Sequence, residues 1–179
     1  MKPIGPLKSA YLSYFSKPAQ DRRLYRAIPR QRVARILVIG LREALRAERM
    51  IAVASRTHAL RDIHLAAIDL FEARPGSAAP LPLKHAHQVL AKSGAQIRLL
   101  PGDPYTALAR AANTLTNTDL ILISSEQDPE SLERAWFYFP RMLHSKSLVL
   151  REVDAGYLKL SHVEIERLAS HSATKLRAA

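Results

Sequence analysis

The chain contains no cysteine, which excludes disulfide scaffolds, thiolate-held zinc, iron–sulfur clusters and thiol nucleophiles together. Glycine is scarce too, with six in 179 residues, so a fold that depends on repeated glycine turns has little to build with. No apolar run approaches the roughly 20 residues of a membrane-spanning helix. The opening Met1-Lys2-Pro3-Ile4-Gly5-Pro6 lacks the apolar stretch of a secretory signal, so the expectation is a cytoplasmic protein with no membrane contact. Acidic residues are nearly missing from the first fifth of the chain: residues 1–35 hold Asp21 alone, against nine basic residues.

What is present fits one soluble globular domain, 47% hydrophobic and 24% charged. The net charge of +11 is unevenly spread: residues 1–35 supply +8, residues 36–150 supply +2 and the remainder +1. In that first segment Lys8, Lys17, Arg22, Arg23 and Arg26 alternate with Tyr11, Tyr14, Phe15 and Tyr25, the composition of a surface that contacts phosphates and stacks bases. A nucleic acid or another polyanion is therefore one expected partner of residues 1–35. The competing reading is an amphipathic helix from Ala10 to Ala27, its aromatics packed on the domain and its arginines solvated. Pro18 would divide it into two shorter helices.

From Arg35 the pattern becomes regular. Arg35 to Gly40 is a buried aliphatic strand closed by glycine, and Leu41 to Arg56 reads as a helix with Leu45, Met50, Ile51 and Ala54 on one face. Ile63 to Leu70 predicts a second strand, Ala73 to Pro82 a loop, and Leu83 to Ser93 a helix ended by Gly94. Gln96 to Leu100 is a third strand and Tyr105 to Thr114 a helix. Asp119 to Ser124 is a fourth strand, Pro129 to Leu143 a helix and Ser147 to Arg151 a fifth strand. A helix from His162 to Ser170 precedes a frayed basic tail.

Aliphatic strands alternating with helices predict an α/β fold, a doubly wound and mostly parallel sheet flanked by helices. The expected division is a basic N-terminal helical extension over 1–35, the sheet domain over 36–152, and a C-terminal helix and tail over 153–179. Ligands of such sheets bind beyond the carboxyl ends of the strands. That rule selects Gly40 to Ala44, Asp69 to Glu72, Gly102 to Tyr105 and Ser124 to Asp128. A carboxylate such as Asp69 can accept from both hydroxyls of a ribose, and Asp103 could similarly face an adenine amino group. The plainer reading is that strand ends are polar because they meet water.

These residues in this order resemble a class I S-adenosylmethionine-dependent methyltransferase. Ile36 to Leu41 lies at the position of the family's first motif, Ile68-Asp69-Leu70-Phe71 at its second-strand acid, and Leu99 to Asp103 at its third-strand turn. Asp119 to Ile123 and Trp136 to Leu150 resemble the fourth strand and the helix, loop and fifth strand that follow. The resemblance implies a Rossmann-like methyltransferase fold and leaves open whether the last strands are present. It also implies a cofactor, S-adenosylmethionine, held by Gly40, Leu41, Asp69, Leu70, Gly102, Asp103 and Ser124. No catalytic residue follows from it, because methyl transfer depends chiefly on alignment.

The departures weigh equally. Where the family has an acid followed by a glycine-rich turn, this chain reads Val38-Ile39-Gly40-Leu41-Arg42-Glu43-Ala44, and only the first glycine remains. Glu43 is a candidate substitute for the acid missing at Val38. Ser124 replaces the acidic metal ligand of the metal-dependent O-methyltransferases. Glu126 and Asp128 nearby could hold a divalent ion only through oxygens, and His85 and His87 read as surface residues, so no metal is expected. Two functions follow: a methyltransferase of unknown substrate, or a cofactor-free methyltransferase-like binding or structural module, with a nucleic acid or another polyanion as the partner its basic N-terminus suggests. A nicotinamide dehydrogenase is the weaker third, since its fingerprint needs the same glycines. The aromatics Trp136 to Phe139 read as core, with Arg134 and Arg141 solvated beside them.

Overall fold

The computed structural model describes residues 4–75, 81–154 and 156–178. Five aliphatic runs form parallel strands: β1 (Arg35–Ile39), β2 (His64–Asp69), β3 (Gln96–Pro101), β4 (Leu120–Ile123) and β5 (Leu148–Val153). A sixth, β6 (Gly156–Leu160), returns antiparallel along β5, and the sheet order is β3-β2-β1-β4-β5-β6. The sequence pattern stops at five strands and assigns residues 153–179 to a helix and tail, so β6 is a correction. Its Tyr157-Leu158-Lys159-Leu160 run is too short and too mixed to announce a strand without the β5 ladder beside it.

Alternate strand residues point to opposite faces. Ile36, Val38, Leu65, Ala67, Leu120 and Leu122 join one core, with α2 (Asp21–Arg30), α3 (Ala44–Ala54) and α4 (Leu83–Ala91). Leu37, Ile39, Ala66, Ile68, Ile121 and Ile123 join the other, with α5 (Pro104–Ala111), α6 (Pro129–Ala135), α7 (Phe139–Met142) and α8 (His162–Ala178). Covered on both sides, the inner strands carry uninterrupted aliphatic sequence.

Local chemistry sets the helix limits. Asp103 caps α5 and Asp128 caps α6, each accepting a backbone N–H three residues on, with proline in the first turn. Ser161 and Glu164 cap α8 reciprocally, at 2.7 and 3.3 Å. That helix runs through Ala178, well past the expected end at Ser170. The expected single helix from Pro129 to Leu143 is instead α6, a 3-10 turn over Trp136–Tyr138, and α7. Pro140 has no N–H to return to Trp136, which ends the regular ladder there. Of the aromatics Trp136 to Phe139 expected in the core, Trp136 and Phe139 are buried there, while Phe137 and Tyr138 are half-buried. Arg134 and Arg141 are not simply solvated: Arg134 lies 4.0 Å over the Tyr105 ring, and Arg141 lies 5.1 and 5.3 Å from the Phe137 and Tyr138 rings.

The N-terminal segment forms two helices, α1 (Pro6–Tyr14) and α2, parted around Pro18. Leu12, Leu24, Tyr25 and Ile28 enter the α3 side of the core. Buried Asp21 accepts the Tyr157 hydroxyl of β6, which ties this segment to the far edge of the sheet. Burial pushes both phenols up, and Asp21 adds to it, raising Tyr25 to about 12 and raising Tyr157 as well. Tyr157→Phe leaves Asp21 short of a donor and is expected to cost about 1–3 kcal/mol. Leu37→Ala, in the centre of the sheet, should cost about 2–5 kcal/mol. Urea unfolding of each variant checks both values.

Candidate functional site

The strand order reverses between β1 and β4, which places the ligand crevice of a doubly wound sheet at their carboxyl ends. The chain leaves β1 through Gly40 at φ +84, and its N–H donates to Ile68 O at 2.8 Å. Ser124, buried at the end of β4, donates its N–H to Ile39 O at 2.8 Å. The expected helix start at Leu41 is not observed. Leu41 N–H donates to Asp69; Arg42 takes a left-handed φ of +51 and Glu43 is extended, so α3 begins at Ala44. A side chain at that φ costs on the order of 1–2 kcal/mol, which indicates that Arg42 is held by its partners.

Asp69 ends β2 and is buried. Its Oδ1 accepts Phe71 N–H at 2.9 Å and Arg74 Nε at 2.7 Å; its Oδ2 accepts Leu41 N–H at 2.8 Å and Arg74 Nη2 at 2.7 Å. A carboxylate has about four acceptor positions, and all are filled from within the chain. Burial works to raise the Asp69 carboxyl, but the Arg74 guanidinium and the two backbone N–H groups outweigh it and hold the group below the usual range. Arg74 also donates to Arg42 O at 3.1 Å, tying the loop after β2 to the turn after β1.

The turn after β3 joins the same place through its backbone. Gly102, at φ +129, donates its N–H to Asp69 O at 2.9 Å. The Asp103 side chain goes elsewhere: it accepts Thr106 N–H at 3.1 Å, the Thr106 hydroxyl and the Ser131 hydroxyl of α6. Burial raises its carboxyl and these donors lower it by more, to about 2.

Over the β1–α3 turn the space is filled by the protein itself. A Cβ added to Gly40 would stand 2.2 Å from Gln127 Nε2 and 2.7 Å from Ser124 Cβ. Arg42 spans from Glu126, at 3.1 Å, to Glu152, at 3.2 Å. Glu152 is buried on β5 and also accepts from Arg46 at 3.1 Å and Gln20 Nε2 at 3.1 Å. Beside this network lies a cleft of about 350 Å³ between the N-terminal segment and α3, lined by Lys17, Asp21, Arg42, Glu43, Arg46 and Arg49 among others. A cavity of about 220 Å³ lies at the amino ends of β1, β2 and β3, the wrong end for a ligand of this sheet. Neither is lined by Gly40, Asp69, Gly102 or Asp103.

Of the expected cofactor residues, the structure gathers Gly40, Leu41, Asp69, Gly102 and Ser124 at one edge. Leu70 is 39% exposed beside them, and Asp103 is turned to α6. Glu43 lines the cleft without capping α3. Glu126 pairs with Arg42, and Asp128 caps α6. Gln127 falls within the Ser124 to Asp128 range that the strand-end rule selects, whereas Arg74 and Glu152 lie outside every selected range. The strand-end rule that selects Asp69 also selects Glu152 if it is carried on to the fifth strand. Arg74 follows Asp69 by five residues, yet nothing in that spacing says the loop folds back.

No family model matches the chain, and no curated protein matches it. Solved structures do. The calicheamicin methyltransferase superposes with a TM-score of 0.59 at 14% identity, covering 94% of this chain and 81% of that one. The O-methyltransferase TomG of Streptomyces achromogenes, solved with S-adenosylmethionine, gives 0.53 at 13% identity, over 99% and 80%. A Staphylococcus aureus protein assigned to the caffeoyl-CoA O-methyltransferases gives 0.51 at 15%, over 98% and 75%. The chain has the class I methyltransferase fold.

Within that fold, S-adenosylmethionine would set its ribose against the second-strand acid and its amino-acid end over the first turn. The residues present do not fit it. Asp69 offers no acceptor to a ribose diol, because the Arg74 fork takes two positions and backbone N–H groups the other two. The first turn is covered by Gln127 and spanned by Arg42. Among the described residues no cluster of three metal-ligating side chains occurs, and no helix is long and apolar enough to cross a membrane.

Arg74→Ala strands a buried carboxylate and is expected to cost about 3–5 kcal/mol, read as a lower urea midpoint. The Asp103 contribution depends on pH. Its folded value lies below its unfolded one, so the stabilisation is complete above the ordinary carboxyl range and is lost as pH falls from about 4 to about 2. An acid titration followed by circular dichroism should therefore be shallower over that interval in Asp103→Ala than in the parent.

Proposed function

We propose that this protein is a cofactor-independent module on the methyltransferase fold, acting by binding a partner. The observation that carries this reading is the Asp69 carboxylate, whose acceptor positions are all taken by Arg74, Leu41 and Phe71. An acid kept for a ribose would leave lone pairs facing the crevice. This one closes the loop after β2 onto the turn after β1 instead, and the Arg42 bridge to Glu126 and Glu152 closes that turn further.

A second reading is a methyltransferase of unknown substrate in which Arg74 gives way when the cofactor enters. It is favoured by the fold and by the retention of an acid at the end of β2. The readings differ by one free-energy comparison: the cofactor would have to replace a buried bidentate pair worth several kcal/mol to break.

Calorimetric titration with S-adenosylmethionine and S-adenosylhomocysteine separates them. The module reading expects no heat and no thermal shift at millimolar ligand. Binding at micromolar concentration, abolished by Asp69→Ala, would overturn it in favour of the enzyme.

A further inference from the structure

Helix α1 is packed with the wrong side out. The face it turns to the protein carries Ser9, Leu12 and Ser13, all buried, and Ser16 follows just beyond its end. The face it turns to solvent carries Leu7, Tyr11, Tyr14 and, at its C-cap, Phe15, which are 87, 56, 57 and 67% exposed. Three serine hydroxyls flank the single leucine inside, and four large apolar or aromatic groups lie outside, spaced 4, 3 and 1 residues apart, so that they form one stripe. Isolated exposed apolar residues need no explanation, but a contiguous stripe marks an interaction surface.

Its surroundings narrow the partner. The Tyr11 and Phe15 rings lie 6.5 Å apart and only 22° from parallel. Arg26 stands 5.6 Å from the Tyr14 ring. Arg22 is anchored to Ser16 O at 2.9 Å, which places α2's arginine row beside the end of α1. Arg23, Arg26, Arg30, Arg32 and Arg35 are exposed; Lys2 lies outside the described residues. Only one acid, Asp21, occurs in the segment, and it is buried against Tyr157. A second copy of the chain would bring +8 against +8. A bilayer surface rewards Trp, Phe and Leu, and the stripe has one leucine, one phenylalanine and no tryptophan, its other two members carrying phenol hydroxyls. Near-parallel rings beside guanidinium groups instead suit unstacked bases joined by phosphates.

We infer that the α1–α2 face binds single-stranded nucleic acid, with Tyr11, Tyr14 and Phe15 as the stacking platform and Arg23, Arg26 and Arg30 on the phosphates. The inference goes beyond the cofactor-independent reading and is separable from it, since no residue of the Asp69 cluster takes part.

Fluorescence anisotropy of the full chain with a labelled oligouridine of about 20 nucleotides tests it. Binding should weaken with salt, with a log–log slope of about −0.7 per phosphate contacted. The triple variant Tyr11→Ala, Tyr14→Ala, Phe15→Ala should lose at least about tenfold in affinity with its salt slope unchanged. Arg23→Gln with Arg26→Gln should flatten the slope. Tyr11→Leu with Phe15→Leu keeps the apolar area and removes the π faces, so it should weaken binding too. It also serves if the triple variant fails to fold.

Several results would overturn the inference. These are no binding at low salt, equal affinity for a duplex of the same length, or undiminished binding by the leucine pair. So would sedimentation with phosphatidylserine vesicles, or dimerisation lost in the triple variant, if either occurred without oligouridine binding. Those last two would reassign the face to a membrane or to a second copy.

Discussion

Three strands of the sheet end at one residue, whose buried carboxylate joins two of them. Asp69 takes the N–H that opens the turn after β1, the N–H of Phe71 in the loop after β2, and the guanidinium of Arg74, while its own carbonyl takes the N–H of Gly102 after β3. A buried carboxylate tolerates such a position only when its lone pairs are satisfied. The loops after β1, β2 and β3 are therefore mutually constrained. The left-handed backbone at Arg42 and the extended backbone at Glu43 lie within that constrained turn, and they delay the start of α3 to Ala44.

Glu152 has the same part on the other side of the switch point. It draws Arg42 and Arg46 from the β1–α3 region and Gln20 from the N-terminal segment onto β5. With the Tyr157–Asp21 contact from β6, this makes α1 and α2 part of the packed body while leaving most of their cations in solvent. The charge of residues 1–35 and the sheet's integrity are thus separate matters. Burial of Leu24, Tyr25 and Ile28 holds the segment in place, and the arginines on the same helix remain available for other work.

The fold was legible because its causes are local. Runs such as Ile36 to Ile39 and Leu120 to Ile123 read as strands covered on both faces because they are short, rich in β-branched residues and bounded by turn residues, and Asp103-Pro104 and Asp128-Pro129 mark helix starts by their own hydrogen bonds. The misses have physical reasons too. β6 depends on β5 for its ladder. The break at Pro140 lay hidden in an aromatic run that otherwise reads as one amphipathic helix. α8 continues past Ser170 as Ser172 donates to Arg134 O and Lys175 reaches Glu133, contacts made across more than thirty residues of chain.

The sequence by itself determined the parallel sheet, the place of its crevice and the residues at the strand ends, since hydrophobic period and topology follow from neighbours a few positions apart. It also located the altered first turn at Arg42 and Ala44. Which groups the acid at Asp69 would face was decided only in three dimensions. A carboxylate at a strand end looks the same in a sequence whether its lone pairs face a crevice or an arginine from the next loop, and Arg74 and Gln127 reach the site through loop conformation alone. The same holds for α1, whose exposed stripe became visible only once Leu12, rather than its tyrosines, was found in the core.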